Sequence, residues 1–583
     1  MLSHTSGGYG MRSLVEVLRR RAQETPNRRA FVWLQNGRDA ASEFTYGELD
    51  RAAQHVAGRL QSLDAAGERV LLLYPPGLDF IAALFGCFYA GAVAVPALPA
   101  ARPGQSRERL EGILADADPR FALTTDADGA ALAGSPLHIA VMQDLKSVAE
   151  RSAEPWTAPS IDPNATCMLQ YTSGSTGTPN GVMLSHANIM HNEAMICERF
   201  EHTPDSVVVS WLPVYHDMGL IGMLFQPLYV GNLCIFMSPV TFMQRPIRWL
   251  QAISRYRATT SGGPNFAYEM CVDRIKTDDC AELDLSSLEI AYSGAEPVRA
   301  DTMRRFSERF APYGFRPEAF YPCYGLAEAT LLVTGGKKLS PWRVRTMDAL
   351  TLESDHRAVA ARDDGHHRTL VGCGTSPVSQ SVRIVHPETG EELAEGHVGE
   401  IWVAGPCVAG GYWKREDESR ATFQARVQSD PETPFLRTGD LGFLDSMELY
   451  VTGRIKDVLI IRGRNHYPQD IETTAENSHP ALLPAGSVAV LVPGADAERL
   501  VLVHELRRQY VAAPDTVEIA AAVRRQVARE HGLQVAGLVL IKPGTLPRTT
   551  SGKVRRRECR RLLLSSAMPV IAENVLGGPL SPA

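Results

Sequence analysis

Leu169-Gln170-Tyr171-Thr172-Ser173-Gly174-Ser175-Thr176-Gly177-Thr178-Pro179-Asn180-Gly181-Val182 is the stretch on which the reading of this chain turns. An apolar run, Cys167 to Leu169, ends in a loop with five hydroxyl residues between Thr172 and Thr178, and the stretch carries three glycines, Gly174, Gly177 and Gly181. Glycine lets backbone approach a ligand closely. Successive backbone N–H groups in such a turn make a concave anion site, and the hydroxyls add donors. Ser185-His186-Ala187-Asn188 then leads into a helix. The order read is strand, phosphate-cradling loop, helix. No Gly-x4-Gly-Lys-[Ser/Thr] spacing fits, so this is not a Walker A loop. A Ser/Gly linker shares the composition, but both flanks are apolar, which argues for an ordered turn.

Outward from the loop, helices alternate with continuous apolar strands. Arg69–Tyr74, Ala92–Pro96 and Phe121–Thr124 read as strands, with helices at 79–89 and 107–116 between them. Strands at 206–212, 233–237 and 287–292 continue the rhythm, with helices at 248–256 and 301–310. That alternation specifies an α/β fold of parallel sheets covered on both faces. From 370 to 450, short runs between Gly/Pro turns indicate a small β-rich unit. After Gly453-Arg454 the pattern resets to an α+β module, and 566–583, rich in small residues, reads as a loose tail.

At 583 residues the chain needs several cores. A net charge of -7 argues against a nucleic-acid partner. Ten scattered cysteines without a Cys-x-x-Cys fit a reducing, cytoplasmic setting. Phe80–Leu98 is long and apolar, but Gly91 and Pro96 divide it, so a buried helix, a turn and a strand are expected rather than a membrane segment. A monomer is expected.

Four further strings follow in order: Tyr324-Gly325-Leu326-Ala327-Glu328, Arg437-Thr438-Gly439-Asp440, Gly453-Arg454-Ile455-Lys456-Asp457 and Leu546-Pro547-Arg548-Thr549-Thr550-Ser551-Gly552-Lys553. With the opening loop they resemble the signature motifs of the adenylate-forming superfamily, which includes acyl-CoA synthetases, luciferase and peptide-synthetase adenylation domains. Ser210-Trp211-Leu212-Pro213-Val214-Tyr215-His216-Asp217-Met218-Gly219, Gly262-Gly263-Pro264-Asn265-Phe266 and Tyr321-Pro322-Cys323-Tyr324 are similar to the fatty acyl-AMP ligase branch.

The resemblance implies ATP-dependent activation of a fatty acid to acyl-AMP. The acyl group then passes to a separate acyl carrier protein rather than to coenzyme A. It implies a large domain (1–455) followed by a small mobile domain (456–565) that carries the catalytic lysine, with Lys456 as hinge. Thr172, Ser173, Gly174, Ser175, Thr176 and Gly177 would hold phosphates, and Ser293, Gly294, Ala295, Glu296, Tyr324 and Gly325 would line the base. Asp440 would accept ribose hydroxyls, Arg454 would add a ribose or phosphate contact, and Glu328 would ligate Mg2+ bridging the phosphates. Lys553 would reach carboxylate and α-phosphate together, His216 would sit beside the carboxylate, and Met223, Gly263 and Phe266 would line the acyl tunnel.

Two departures stand out, Asn180 and Ala327; the latter replaces the threonine of many relatives, although the ligase branch itself tends to read this way. Asn180 occupies a position where many relatives carry lysine, so either another residue substitutes or ATP affinity suffers. Residues 337–368 match an insertion thought to restrain the small domain and disfavour coenzyme A. Arg555, Arg556 and Arg557 read either as a solvated run or as a docking patch for an acidic carrier protein. The rival activities are a medium- or long-chain acyl-CoA ligase and an amino-acid adenylating domain that uses Asp217.

Overall fold

Capping residues fix the first helices. Ser13 accepts the N–H of Glu16 at the start of the helix Leu14–Glu24. Thr45 and Glu48 form a reciprocal capping box that opens the helix Tyr46–Gln61. The apolar stretch resolves into a buried helix, Leu78–Ala90, a left-handed Gly91 and the strand Val93–Ala97. Gly86 lets this helix touch its neighbour, since a Cβ there would fall 2.3 Å from Val56. Among the described residues no helix is long and apolar enough to cross a membrane.

The computed structural model describes residues 10–99, 105–126, 132, 136–149, 155–172, 179–362, 366–461, 464–494, 498–549 and 554–576. Two sheets dominate. One runs Leu332–Gly335, Phe320–Gly325, Ile290–Ser293, Thr260–Gly263, Val207–Ser210, Leu233–Met237, Arg29–Leu34, Ala40–Thr45, and is parallel except for its outermost pairs. The other runs His138–Val141, Phe121–Thr124, Arg69–Leu73, Val93–Ala97, Thr166–Thr172, Asn180–Ser185. Its first five strands are parallel, as continuous apolar runs require.

Its last strand corrects the sequence reading. Residues 180–185 do not lead straight into a helix; they return antiparallel along 166–172, and only then does Ser185 cap the helix His186–Phe200. Gly181, Val182 and Leu184 are buried, so pairing with the preceding strand satisfies both their backbone and their apolar surface. The strands 166–172 and 180–185 therefore form a hairpin.

An antiparallel sheet built from Ser381–Val385, Gly399–Ala404, Ala425–Val427, Asp430–Asp445 and Glu448–Arg454 supplies the β-rich part. The C-terminal residues build their own core. The strands Leu482–Val492, Arg499–Leu506, Val535–Ile541 and Val570–Val575 carry the helices Pro468–Glu476 and Thr516–His531. The last of these strands corrects the expectation of a loose tail. Residues 570–575 pair antiparallel with Val535–Ile541, covering an edge that would otherwise expose unpaired N–H and C=O groups.

The described part of the 337–368 segment, 337–362 and 366–368, is structured. Val344–Asp348 pairs with His367–Val371, and the short helix Ala349–Ser354 lies between them. This segment touches the C-terminal unit. Arg368 lies 2.8 Å from Asp470 and its guanidinium carbon stacks 4.0 Å over the Tyr467 ring, while Glu353 approaches His466 at 3.3 Å. Arg299 makes a second link, to Glu476 at 3.4 Å and Glu269 at 3.7 Å.

Candidate active site

The C-terminal ends of the parallel strands and the inner face of the C-terminal unit enclose a cavity of about 1840 Å³. At strand ends of an α/β sheet a crevice of this kind is the usual ligand site. Thr172, His216, Met223, Phe266, Gly294, Ala295, Glu296, Tyr324, Gly325, Glu328, Asp440, Arg454 and Lys456 all line it.

Asp440 is the centre of one group. The Tyr324 hydroxyl donates to Oδ2 at 2.8 Å, and Arg454 Nε donates to Oδ1 at 2.7 Å. Burial and the adjacent carboxylate push the Tyr324 phenol well above its ordinary range, so it stays a donor. The same carboxylate raises the Arg454 guanidinium. Each Asp440 oxygen keeps a second lone pair, which can accept a sugar hydroxyl.

Glu328 is the centre of another. It sits in the one-turn helix Ala327–Ala329, just before Thr330, whose φ of 66° is strained for a β-branched residue. The Thr330 hydroxyl, donating to the Cys407 carbonyl at 2.6 Å, anchors that turn. Gly325 permits it, because a Cβ would fall 1.8 Å from the Leu331 carbonyl oxygen. The Tyr412 hydroxyl donates to Glu328 Oε1 at 3.0 Å. Burial raises the Glu328 carboxyl, and no ion pair is made by it among the described residues. A hard, half-buried carboxylate braced on one oxygen fits Mg2+, which takes one or two protein carboxylates and draws other ligands from phosphates and water.

His216 opens the short helix Asp217–Leu220, followed by a π-helical turn, Ile221–Phe225, that carries Met223. Asp217 Oδ1 lies 2.5 Å from His216 Nδ1 and accepts the Met218 N–H at 2.7 Å, which fixes the imidazole. Glu296 accepts the Phe266 N–H at 2.7 Å and so ties the base-lining turn to the acyl side.

Two expected residues are not at the cavity. Ser293 is buried beneath the turn and does not line it. Gly263 does not line it either; its missing Cβ makes room for Trp211, whose ring would lie 2.7 Å away. Both belong to strings whose neighbours do face the cavity, and strand alternation turns these two inward. Ser173, Gly174, Ser175, Thr176, Gly177 and Lys553 lie outside the described residues.

Residues 18–413 match the AMP-binding enzyme family. The chain belongs to that family. Residues 456–573 of this AMP-binding enzyme also match the Disco-interacting protein 2-like AMP domain. It is 45% identical to a medium-chain-fatty-acid–[acyl-carrier-protein] ligase of Moorena producens, over 95% of this chain and 96% of that one. It is similar to a fatty acyl-adenylate ligase of Legionella pneumophila solved with acyl adenylate and pyrophosphate, at TM-score 0.75 and 39% identity, covering 98% and 99% of the two chains. A structure from work on fatty acyl-adenylate ligases of Escherichia coli and L. pneumophila gives TM-score 0.86 and 33% identity, covering 96% and 99%.

In this AMP-binding enzyme, sequence reasoning missed Tyr412 and Arg109. Tyr412 follows Gly410-Gly411, a turn signal without chemistry of its own. Asp217 was read only as a candidate for an amino-acid substrate, whereas the structure gives it His216. The basic run is also redistributed. Arg556 is engaged by Glu472 at 2.7 Å and Asp457 at 3.5 Å, Arg555 lines the cavity, and Arg557 is exposed at its edge.

Proposed function

We propose that this enzyme adenylates a fatty acid with ATP and then transfers the acyl group to the phosphopantetheine thiol of a separate acyl carrier protein. The supporting observation is one cleft that combines a braced ribose-type carboxylate, Asp440, a metal-type carboxylate, Glu328, held on one oxygen by Tyr412, and an apolar arm at Met223 and Phe266. The names of the similar proteins point the same way.

A fatty carboxylate oxygen attacks the α-phosphorus of ATP, the bond to pyrophosphate breaks, and a mixed anhydride forms. Both partners are anionic, so cations and oriented donors must carry the stabilisation. Tyr324 and the turn 294–296 hold the base, and Asp440 accepts ribose hydroxyls while Tyr324 and Arg454 keep it in place. His216, fixed by Asp217, stands beside the acid. Lys553 reaches carboxylate and α-phosphate through a flexible stem. Glu328 is the residue that would hold Mg2+, which when bound neutralises phosphate charge. The carrier thiol then attacks the acyl carbon and AMP leaves. Rotation about Lys456 exchanges Lys553 for a thiol-accepting surface, and a few turn residues suffice for such a hinge.

The segment 337–368 acts as a strap on the C-terminal unit, which disfavours coenzyme A. Its contacts through Arg368 and Glu353 support that role. The cysteines are all free, in keeping with a reducing cytoplasm. Fatty-acid-dependent exchange of labelled pyrophosphate into ATP tests the reading. Exchange that responds to amino acids but not to fatty acids would overturn it.

A further inference from the structure

Asn180 leaves the hairpin of Thr166–Thr172 and Asn180–Ser185 without a lysine at its mouth, and its amide is held by a carboxylate, Glu418, at 3.3 Å. A guanidinium nevertheless stands beside it. The helix Gln105–Ala117 packs across the hairpin so tightly that a Cβ on Gly112 would lie 3.1 Å from Pro179. The Tyr171 hydroxyl locks the two together by donating to Asp116 at 2.7 Å. From that helix Arg109 reaches the cavity, and its Nη2 donates to the Tyr171 carbonyl at 3.1 Å.

That is its only hydrogen bond among the described residues, and no carboxylate there lies within ion-pair distance of it. Asp116, on the same helix, is already taken by Tyr171 and Arg415. The charged group facing Arg109 is another cation, Arg555 of the C-terminal unit, which lines the same cavity. Burial, the largest influence, lowers the Arg109 guanidinium from its ordinary value; the Tyr215 phenol, next, opposes this, and Arg555 adds a smaller lowering. A partly buried guanidinium with most donors unused, facing a like charge, is unfavourable until an anion enters between them.

We infer that Arg109 and Arg555 together grip the terminal phosphates of ATP and the departing pyrophosphate, supplying the positive charge that Asn180 does not. The inference rests on the adenylation reading above. The guanidinium fork suits phosphate oxygens better than a point charge does, and one arginine from each side of the cleft lets the pair close on the anion.

The test titrates the full chain with pyrophosphate in the presence of Mg2+, and separately with AMP, by calorimetry. Arg109→Ala is expected to weaken pyrophosphate about tenfold or more while AMP affinity stays within about twofold. Arg109→Lys should retain part of the affinity. Adding Asn180→Lys to Arg109→Ala should recover it, since either position then offers a cation at the hairpin mouth. Pyrophosphate affinity unchanged in Arg109→Ala would overturn the inference, as would equal losses for AMP and pyrophosphate, which mark a structural role. If no fatty acid supports exchange, the functional reading fails, whereas the pyrophosphate titration still decides this one.

Discussion

Replacing Arg368 by alanine isolates the strap. Its guanidinium makes three contacts at once: Asp470 at 2.8 Å, the Thr452 carbonyl at 2.6 Å and the Tyr467 ring at 4.0 Å. The side chain is only 10% exposed, but Asp470 is 31% exposed, so the ion pair is partly screened and counts for less than a fully buried one. Thr452 lies in the large domain, so only the ring contact, about 1 kcal/mol, and the screened ion pair, about 0.5 kcal/mol, hold the C-terminal unit, roughly 1.5 kcal/mol together. Burial already raises the Asp470 carboxyl despite Arg368, so the residue left behind gains no compensation. A loss of roughly 1.5 kcal/mol shifts the ratio of docked to released C-terminal unit by about tenfold. The assay is acyl-CoA formation from fatty acid, ATP and coenzyme A. Arg368→Ala should raise the acyl-CoA rate by up to that factor. A rate within twofold of wild type, in a variant whose melting temperature is unchanged, would refute the strap argument.

Three other outcomes follow from the same geometry. Glu328→Gln keeps the Tyr412 hydrogen bond but removes the charge, so adenylation should fall at least about a hundredfold, with the Mg2+ dependence shifted to higher concentration; an unaltered magnesium titration would exclude Glu328 as the ligand. Lys553→Ala should abolish acyl-AMP formation while leaving ATP binding by calorimetry largely intact, and a variant that still adenylates would contradict the assigned role. Burial holds His186 and His504 down to about 4 and His202 to about 3. The unfolded chain binds those protons first, near 6.5, so this stability is complete above that value and is lost as pH falls through the range from about 6.5 to about 4. Between pH 7 and pH 5 each histidine costs up to about 2 kcal/mol, partly offset by Glu476, which burial raises to about 7, so the melting temperature should fall over that interval; a rise there would contradict the burial of these rings.

Much of the layout was legible because it is written locally. Ser13, Thr45 with Glu48, and Ser185 cap helices at the places their side chains announce, and continuous apolar runs such as 69–73 became parallel strands. Tyr324 and Asp440 were legible as motif residues, and their hydrogen bond joins positions more than a hundred residues apart. What failed depended on distant pairing or on facing. The strand Asn180–Ser185 is too short for periodicity to separate it from a helix start. The strand Val570–Val575 exists because Val535–Ile541 offers an open edge, which composition cannot reveal. Ser293 and Gly263 stand in the right strings but point the other way, because alternate strand residues take opposite faces. Arg109 carries no motif; only the packing of its helix over the hairpin brings it to the cavity.

The most direct test offers the purified enzyme ATP, Mg2+ and fatty acids of graded chain length, with coenzyme A and an acyl carrier protein in separate and competing reactions, and scores each product by mass. Acyl-AMP that accumulates with coenzyme A alone and is consumed when the carrier protein is present is the expected result. Rapid acyl-CoA formation without stalled acyl-AMP would contradict the account.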